Sequence, residues 1–422
     1  MMPPAPIAAR TPARLGFLRW WSDGTPDAHR ALIAAGLGWM LDAFDVMLYA
    51  LLLTSIIADL GISRQTAGAI GSVTLLAAAA GGLLFGVVAD RYGRTRALMA
   101  SVLIYSVFTA ACGLATTAAQ LAAFRILLGI GMGGEWASGA ALVSETWPAE
   151  HRGKALGLMQ SAWAIGYGLA AVVTMIVLPR WGWRAVFFAG VLPAFLTFWV
   201  RRHVREPELW LRTRGATRVR SRLGDVFRDG RAGVTIAVTA MNACTLFAWW
   251  GFNLWLPGFL SMPASSGGVG LSSTAMSWFI IAMQVGMWFG YITFGYISDA
   301  VGRKRAYIGY LVSAAVLIAV YTSLRAPLAL LLLGPFVAFF ATGYFSGFGA
   351  VTAEIYPTDI RATAQGFTYN LGRIASAAAP FTVGTLAQTR GFDVALSTTS
   401  IAFVLAALLW FWIPETRGRK LI

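Results

Sequence analysis

Long apolar stretches alternate with short polar segments along the whole chain. An α-helix needs about 20 apolar residues to cross the roughly 30 Å hydrocarbon core of a bilayer. Twelve stretches of the 422-residue chain have this character. They are residues 31–57, 67–88, 97–117, 119–144, 155–178, 183–200, 234–260, 274–297, 306–323, 327–353, 364–389 and 393–413. The pattern predicts an all-α membrane protein with twelve transmembrane helices, which we number as spans 1 to 12.

The composition supports this prediction. Hydrophobic residues make up 58% of the chain and charged residues 12%, whereas soluble domains carry about 25% charged residues. The three histidines lie outside the spans, and the sequence contains no metal-ligand cluster and no nucleotide-binding loop. We therefore expect neither an enzyme nor a metal or cofactor site.

The basic residues indicate how the spans are oriented. If both termini lie on one side, 26 of the 33 Lys and Arg residues fall on that side, 5 fall on the other, and Arg125 and Arg373 lie within spans. Basic residues accumulate on the cytoplasmic side of membranes, so we expect both termini there. The net charge of +15 follows from this topology, and we expect no nucleic-acid binding.

An internal repeat relates the two halves of the chain at an offset of 209 residues. The segment 86–96, GVVADRYGRTR, recurs at 295–305 as GYISDAVGRKR. Acidic and basic residues at other helix ends recur at the same offset, as in the pairs Glu145/Glu354, Arg152/Arg361 and Glu206/Glu415. The repeat predicts two pseudo-symmetric six-helix bundles, residues 31–200 and 234–413. They lie between a cytoplasmic segment 1–30, an Arg-rich cytoplasmic linker 201–233 and a cytoplasmic tail 414–422.

The repeated segment resembles the G-x-x-x-D-R-x-G-R-x-R signature of the major facilitator superfamily. The closing Pro414-Glu415-Thr416-Arg417-Gly418 is similar to the end of its sugar-porter and related branches. The resemblance covers residues 30 to 418. It implies two bundles around a central cavity that work by alternating access. We expect a monomer in the lipid bilayer of a bacterial inner (plasma) membrane.

The repeated charged residues predict a cytoplasmic gate. Asp90 and Asp299, at the inner ends of spans 2 and 8, can face the positive N-terminal ends of spans 11 and 5. The other repeated charges are expected to form salt bridges that hold the halves together when the inner side is closed. These residues are Arg94, Glu145, Arg152, Glu206, Arg303, Glu354, Arg361 and Glu415. Alternatively, all of these residues only anchor loops and follow the positive-inside rule.

Charges embedded in the first half break the repeat. Such charges cost several kcal/mol unless paired or hydrated, which makes them functional candidates. Asp42 and Asp45 share one face of span 1, and Glu135 in span 4 is nearly level with Asp42. Arg125 lies about 9 Å outward of Asp45. A carboxylate near a movable Arg can take up a proton in one state and release it in another. The alternative is a static ion network that locks spans 1 and 4 together.

Arg373 is embedded in span 11. Its planar guanidinium suits a carboxylate, which predicts an anionic substrate. Asn370 lies one turn away and is expected to complete the contact, and Trp163 and Tyr344 are expected to touch the substrate through their rings. The alternative for Arg373 is a pair with a first-half acid across the cavity.

A narrower resemblance supports these roles. Leu41-Asp42-Ala43-Phe44-Asp45 resembles the D-G-x-D segment in helix 1 of the aromatic-acid and sialate proton symporters. Residues 125–135 and the Gly-Arg before the small-residue run ending in Pro380 are similar to their helices 4 and 11. The resemblance implies proton coupling by Asp42, Asp45, Arg125 and Glu135, and carboxylate binding by Arg373. Ala43 replaces the usual glycine, and linker 201–233 holds no extra helix pair, which some sialate carriers have.

The predicted function is proton-coupled import of an organic carboxylate. A sugar or polyol symporter is the first alternative, suggested by the chain's ending and disfavoured by Arg373. A proton–drug antiporter is the second alternative. Antiporters of this kind in the superfamily usually carry a Gly-Pro motif in helix 5, and span 5 contains no proline before Pro179. A membrane sensor without transport activity is the third, and it would not need Asp45.

Overall fold

α-Helices form the membrane-crossing part of the computed structural model, which describes residues 19–148, 151–207, 211, 223–357 and 360–417. The first half contains a helical turn at Arg19–Ser22 and then α1 (Pro26–Leu60), α2 (Arg64–Tyr92), α3 (Arg94–Cys112), α4 (Ala118–Thr146), α5 (Arg152–Phe188) and α6 (Ala194–His203). The second half contains α7 (Ala232–Ser261), α8 (Ser273–Val301), α9 (Arg303–Ser323), α10 (Pro327–Thr342), α11 (Phe348–Ile355), α12 (Arg361–Ser376), α13 (Ala378–Thr389) and α14 (Phe392–Leu409).

Ten helical elements of the described residues are long and apolar enough to cross a membrane. One of them covers 52 residues and reverses at Gly182, where φ is 74°, a conformation that glycine adopts readily. This element supplies spans 5 and 6. Span 11 is divided between α12 and α13, each too short to be recognised alone. With these two adjustments the prediction of twelve spans is confirmed.

Span 10 is not the continuous helix that its apolar pattern predicts. A 3-10 turn at Gly343–Gly347 separates α10 from α11. A Cβ atom at Gly343 would lie 2.7 Å from the Gly290 carbonyl oxygen, and one at Gly347 would lie 2.5 Å from the Phe294 ring. The break therefore occurs where the backbone passes close to α8, a constraint that hydropathy does not record.

Side-chain caps explain where several helices begin. The hydroxyl oxygen of Thr25 accepts a hydrogen bond from the Ala28 N–H at 3.1 Å, so α1 begins five residues before its predicted span. Ser63 caps α2, and Ser272 caps α8. The two serines are separated by the repeat offset, so the helix starts are repeated along with the spans.

The two bundles are built alike at the end of the molecule where the segment between α2 and α3 meets the linker. We call this end, which carries Gly93, Glu206, Gly302 and Glu415, the linker face, and the other end the opposite face. The glycines have φ values of 118° and 102°. A Cβ atom on Gly93 would lie 2.3 Å from Glu206, and one on Gly302 would lie 2.8 Å from Glu415. Both glycines therefore let a glutamate reach the start of the next helix.

Close helix crossings are repeated as well. A Cβ atom on Gly81 in α2 would lie 2.2 Å from the carbonyl oxygen of Ile130 in α4. The repeat-related Gly290 in α8 would place one 2.5 Å from the carbonyl oxygen of Phe339 in α10. Small residues let membrane helices approach this closely. The same contact thus organises both bundles.

Hydrogen bonds join the two bundles at the level of the central cavity and on the opposite-face side of it. Among the described residues these bonds link Thr54 with Ser261, Arg64 with Ser266 and Ala387, Gln65 with Gln388, Ser72 with Phe381, and Tyr167 with Asn253. The bundles are therefore held together on the opposite face in this conformation.

Candidate functional site

A central cavity lies between the bundles and is walled by aromatic side chains. The first half contributes residues of α1 and α5, and the second half contributes residues of α7, α8, α12 and the 3-10 turn. The lining residues are Trp39, Gln160, Trp163, Leu246, Trp249, Trp250, Tyr291, Phe345, Tyr369 and Arg373. Both bundles therefore meet any molecule bound in the cavity.

Four tryptophans form a cage in this cavity, with Trp163 at its centre. The Trp163 ring centroid lies 4.6 Å from that of Trp39, 5.7 Å from that of Trp249 and 6.3 Å from that of Trp250. Trp163 meets Trp249 and Trp250 edge to face. The indole N–H groups of Trp39, Trp163 and Trp249 are buried without a hydrogen-bond partner among the described residues. The tryptophan cage thus offers apolar ring faces together with unused donors.

Arg373 is the basic residue of the cavity wall. Its side chain is 3% exposed, and no carboxylate of the described residues lies within salt-bridge distance of its guanidinium. Asp42 interacts with it electrostatically across the boundary between the bundles. The predicted alternative, a direct ion pair with a first-half acid, is therefore absent from the described residues in this conformation. The guanidinium remains available to a bound anion.

Trp163 lies where a substrate-binding residue is expected, whereas Asn370 and Tyr344 do not line the cavity. The Asn370 side chain donates to the Gly366 carbonyl oxygen at 2.9 Å and faces Gly82 of α2. The helical turn that relates Asn370 to Arg373 points the two side chains in different directions. Tyr344 is fully buried inside the second bundle, where its ring stacks on Phe345. Packing within the bundle, which the sequence pattern does not show, decides both positions.

The first-half charges form a buried cluster inside their own bundle. Asp42, Asp45, Arg125 and Glu135 are all inaccessible to solvent or nearly so. Arg125 places its guanidinium carbon 4.5 Å from the centroid of the Tyr49 ring, one helical turn beyond Asp45 on α1. The predicted depth of Arg125, outward of Asp45, agrees with this placement.

Glycines make room for the carboxylates of this cluster. A Cβ atom on Gly38 would lie 2.7 Å from Oε1 of Glu135, and one on Gly190 would lie 3.2 Å from Oδ1 of Asp45. The Tyr105 hydroxyl lies among the acids and donates to the Gly38 carbonyl oxygen at 3.3 Å. The cluster therefore joins α1, α3 and α4 with the segment that follows α5.

The carboxylates of this cluster are short of partners. Both carboxyl oxygens of Asp42 and Glu135 are buried without a hydrogen bond from the described residues, as are Nε and Nη1 of Arg125. The Asp45 carboxyl lies beside the Thr109 hydroxyl. A buried carboxylate without donors is costly, and a proton removes most of that cost. The arrangement is therefore chemically suited to binding and releasing protons.

The predicted gate residues pair within each bundle in this conformation. Arg94 contacts Glu145 at 2.9 Å, and the repeat-related Arg303 contacts Glu354 at 3.0 Å. Asp299 pairs with Arg303 at 2.6 Å instead of facing the start of α5. Salt bridges between the two halves were expected for the state that is closed on the inner side. Because the bundles are joined here on the opposite face, that expectation stays a prediction. Each Arg lies one residue after its glycine, and this position directs the guanidinium toward α4 or α11 of its own bundle.

The remaining gate residues have other surroundings. Glu206 accepts hydrogen bonds from the backbone N–H groups of Arg94, Thr95 and Arg96 at 2.7–3.3 Å. Within the described part of the chain it acts as a helix cap. Glu415 accepts bonds in the same way at the start of α9. Arg361 donates to the Ala353 carbonyl oxygen, Arg152 is exposed, and the Asp90 side chain lies outside the described part of the chain.

Several lining residues were not predicted from the sequence, Trp39, Gln160 and Tyr291 among them. Trp39 lies three residues before Asp42 on α1, so the helical spacing that grouped Asp42 with Asp45 could have included it. Gln160 and Tyr291 lie on α5 and α8, where the bundles meet. No local pattern marks them, because their exposure to the cavity depends on how the two bundles pack.

Comparisons with known proteins agree with this architecture. A model of the Major Facilitator Superfamily matches residues 35–269 and 239–421. A probable 4-methylmuconolactone transporter of Cupriavidus pinatubonensis is 34% identical, with 94% of this chain and 93% of the relative covered. The sialic acid transporter NanX of Escherichia coli is 31% identical, with 94% of this chain and 96% of the relative covered.

A solved structure shows the same fold. The xylose transporter XylE from E. coli, in a partially occluded inward-open conformation, matches with a TM-score of 0.76 and 21% identity. The match covers 94% of this chain and 100% of that one. The expectations of a transporter instead of an enzyme, and of a multi-pass protein of a bacterial inner membrane, are confirmed. The chain belongs to the Major Facilitator Superfamily.

Proposed function

We propose that this transporter is a proton-coupled symporter that imports an organic carboxylate, which it binds at Arg373 inside the tryptophan cage. The observation that carries the proposal is the buried Arg373 guanidinium, which lines the cavity without a carboxylate partner among the described residues. A guanidinium stays charged at all physiological pH values. Burying it is costly unless an anion neutralises it, so an anionic ligand has a large energetic advantage at this position.

The walls of the cavity favour a flat, partly apolar acid. The Trp163 and Trp249 rings provide surfaces on which an unsaturated or aromatic ring can pack, at about 0.5–1.5 kcal/mol per ring contact beyond the area buried. The free indole N–H groups can donate to oxygens that the guanidinium does not reach. Charge recognition and ring packing would together select the substrate.

Proton coupling follows from charge balance between the cavity and the first-half cluster. Asp42 interacts electrostatically with Arg373, with Arg125 and with Glu135. When a substrate carboxylate neutralises Arg373, the acids near Asp42 lose a compensating positive charge. A proton bound in the cluster restores the balance, so substrate and proton would travel together.

The relatives support a carboxylate more than a sugar. Sialic acid, the substrate named for one relative, carries a carboxyl group, and that relative is 31% identical to this chain. The likeness to the xylose transporter, at 21% identity, concerns the fold alone. A neutral sugar would leave the Arg373 charge uncompensated. We also propose that both termini are cytoplasmic, which makes the linker face the inner side. An inward proton gradient would then drive the coupled substrate into the cell.

The test is proton entry into proteoliposomes that contain an internal pH dye. Benzoates, muconate-like dicarboxylates, sialic acid, lactate and neutral sugars are added in turn under an inward proton gradient. We expect at least one carboxylate to drive proton entry in the parent and none to do so in Arg373→Ala. Arg390→Ala, an exposed residue of the opposite face, is the matched control and should transport like the parent.

Two results would contradict the proposal. Proton entry driven by a neutral sugar and unchanged in Arg373→Ala would identify a sugar symporter. Carboxylate uptake that is unaffected by collapsing the proton gradient would retain the substrate class and exclude the coupling. Asp45→Asn provides the reference for lost coupling. This variant should still bind the carboxylate, but the carboxylate should no longer drive proton entry.

A further inference from the structure

Arg64 makes the charged contact between the bundles on the opposite face. It is the first residue of α2, and its guanidinium crosses to the second bundle. Nη1 donates to the carbonyl oxygen of Ala387 at 2.6 Å, and Nη2 donates to that of Ser266 at 3.2 Å. The guanidinium carbon also lies 5.1 Å from the centroid of the Phe392 ring. One side chain of the first half thus contacts three segments of the second half.

The acceptors of Arg64 are unusually suitable for a cation. Ala387 lies in the last turn of α13, whose carbonyl groups have no partner within the helix. The end of a helix carries a partial negative charge, which favours a nearby cation. No described carboxylate pairs with Arg64 within salt-bridge distance, so its contacts depend on the approach of the second bundle.

The repeat shows that this contact is not a requirement of the fold. Ser63 and Ser272 cap α2 and α8 in the same way, but the residue after Ser272 is Ser273 and not an arginine. The start of α8 therefore lacks the long cationic side chain that the start of α2 directs toward the other bundle. Helix capping is preserved in both halves, whereas the interbundle cation belongs to one.

We infer that Arg64 is the latch of the opposite-face gate and sets the equilibrium between conformations closed and open on that face. Its hydrogen bonds to Ala387 and Ser266 exist only while α2 lies against α13 and the segment after α7. In alternating access the bundles must part on this face, so both bonds must break. The latch therefore stabilises the conformation described above relative to the alternate one. This role involves neither the substrate nor the proton.

Two other arginines of the same face provide matched controls. Arg184 pairs with Asp59 at 2.7 Å within the first bundle, and Arg325 pairs with Asp393 at 2.6 Å within the second. Both are half-exposed cations that make charge-assisted hydrogen bonds. Because neither bond crosses between the bundles, removing either one should leave the conformational equilibrium in place.

The experiment measures the distance between the bundles on the opposite face without substrate. Spin labels are attached to Leu114→Cys and Leu328→Cys, which are 65% and 68% exposed, in a background of Cys112→Ala and Cys244→Ala. Distance distributions are recorded by pulsed electron paramagnetic resonance in lipid nanodiscs. We expect Arg64→Ala to raise the ratio of long to short distances about tenfold, because charge-assisted hydrogen bonds shift equilibria by at least this factor. Arg64→Lys should raise it less, since one ammonium can retain one of the two acceptors.

The controls decide between a latch and a general loss of stability. Arg184→Ala and Arg325→Ala should give the distance distribution of the parent. An unchanged distribution in Arg64→Ala would overturn the inference, and so would an equal shift in the two controls. If Arg64→Ala does not yield folded protein, Arg64→Gln is measured with the same two outcomes. Since no substrate is present, the result is independent of the proposed carboxylate symport.

Discussion

The interiors of the two bundles differ most where the repeat aligns them. The first bundle buries carboxylates and a guanidinium, and the second has glycine, leucine or tyrosine at the same positions. The repeat-related pairs are Asp42 and Gly251, Asp45 and Leu254, Arg125 and Gly334, and Glu135 and Tyr344. Their neighbours change with them, because Tyr105 and Thr109 of the cluster correspond to Ala314 and Ile318. At these positions the first bundle therefore holds charged side chains, whereas the second holds uncharged side chains or glycine.

Tyr344 illustrates the difference. It occupies the position of Glu135, and its ring lies 4.7 Å from Phe345, 5.7 Å from Phe348 and 6.2 Å from Phe403, measured between centroids. Glu135 instead lies against Gly38 and near Tyr105. Both arrangements stand on equivalent helices. The helix framework therefore tolerates either chemistry, and the buried carboxylates can be confined to one bundle.

The two bundles agree where packing or capping limits the choice of residue. The Gly81–Ile130 and Gly290–Phe339 crossings, and the Glu206 and Glu415 caps, obey the repeat offset. Symmetry is therefore retained at helix crossings and at the linker face. It is lost in the bundle interiors and at the latch, where the transport cycle does not need both halves to act alike.

The largest contrast should come from Glu135 and its counterpart. We expect Glu135→Gln to reduce net proton-driven uptake to the level of empty vesicles, because an amide cannot exchange a proton in this pH range. Substrate exchange between equal pools should persist, since it requires no net proton movement. Tyr344→Phe, the matched change in the second bundle, should retain both activities. Uptake and counterflow in proteoliposomes measure the two. Equal losses in both variants would remove the functional distinction between the bundles.

A smaller and equal effect is expected at the repeated helix crossings. In Gly81→Ala and Gly290→Ala the new Cβ atom would meet a backbone oxygen at 2.2 and 2.5 Å, so the helices must separate. Overpacking of this kind costs about 1–3 kcal/mol, which should lower the melting temperature by a few degrees. Gly86→Ala and Gly295→Ala, in the same helices and also related by the repeat, have open space and serve as controls. A melting curve unchanged in either crossing variant would show that the crossing adapts.

The smallest effect concerns the Glu415 cap. Partial burial acts to raise the pKa of this carboxyl, but backbone N–H groups of Arg417, Lys304, Arg303 and Thr416 outweigh it, and the pKa lies below its usual value. A lowered carboxyl pKa means that the charged cap stabilises the fold at neutral pH and loses this contribution as the pH falls below about 4. Glu415→Gln should therefore melt slightly lower than the parent at pH 7, and the difference should shrink as the pH is lowered below about 4.

The control for the cap is an exposed acid whose ion pair lies within a single helix. Asp27 pairs with Arg30 at 3.4 Å and is 56% exposed, so Asp27→Asn should change the melting temperature less at every pH. A Glu415→Gln difference that stays the same size when the pH is lowered from 7 to well below about 4 would mean that the carboxylate charge does not contribute.

Much of the site could be predicted from the sequence because a charged residue within an apolar stretch can be recognised from its neighbours in the chain. Asp42, Asp45, Arg125 and Glu135 stand out against apolar neighbours, and helical spacing places them at similar depths, where the structure brings them together. Arg373 is recognisable for the same reason. Asn370 was misplaced because a position one turn away shares a helix face only approximately, and the packing of α12 against α2 separates the two side chains.

The sequence does not specify the partners of the gate residues in this conformation, because acids and bases at helix ends have several partners within reach. Spacing identifies Arg94 and Glu145 as neighbours of the linker face but does not say whether their partners lie in the same bundle. The left-handed conformation of Gly93 directs Glu206 to the start of α3 and Arg94 to Glu145. Pairing therefore depends on backbone geometry that composition and charge do not specify.

The sequence by itself determined the number of spans, the repeat, and the positions of the embedded charges. Each follows from the free-energy cost of placing a polar or charged group in hydrocarbon. Every residue contributes to this cost separately, so the sequence alone records it. The tertiary structure alone decided which side chains face the cavity, that Trp39, Gln160 and Tyr291 join Trp163 there, and that Arg64 reaches the second bundle on the opposite face. These contacts join residues far apart in the chain, and the rotation and approach of packed helices determine them.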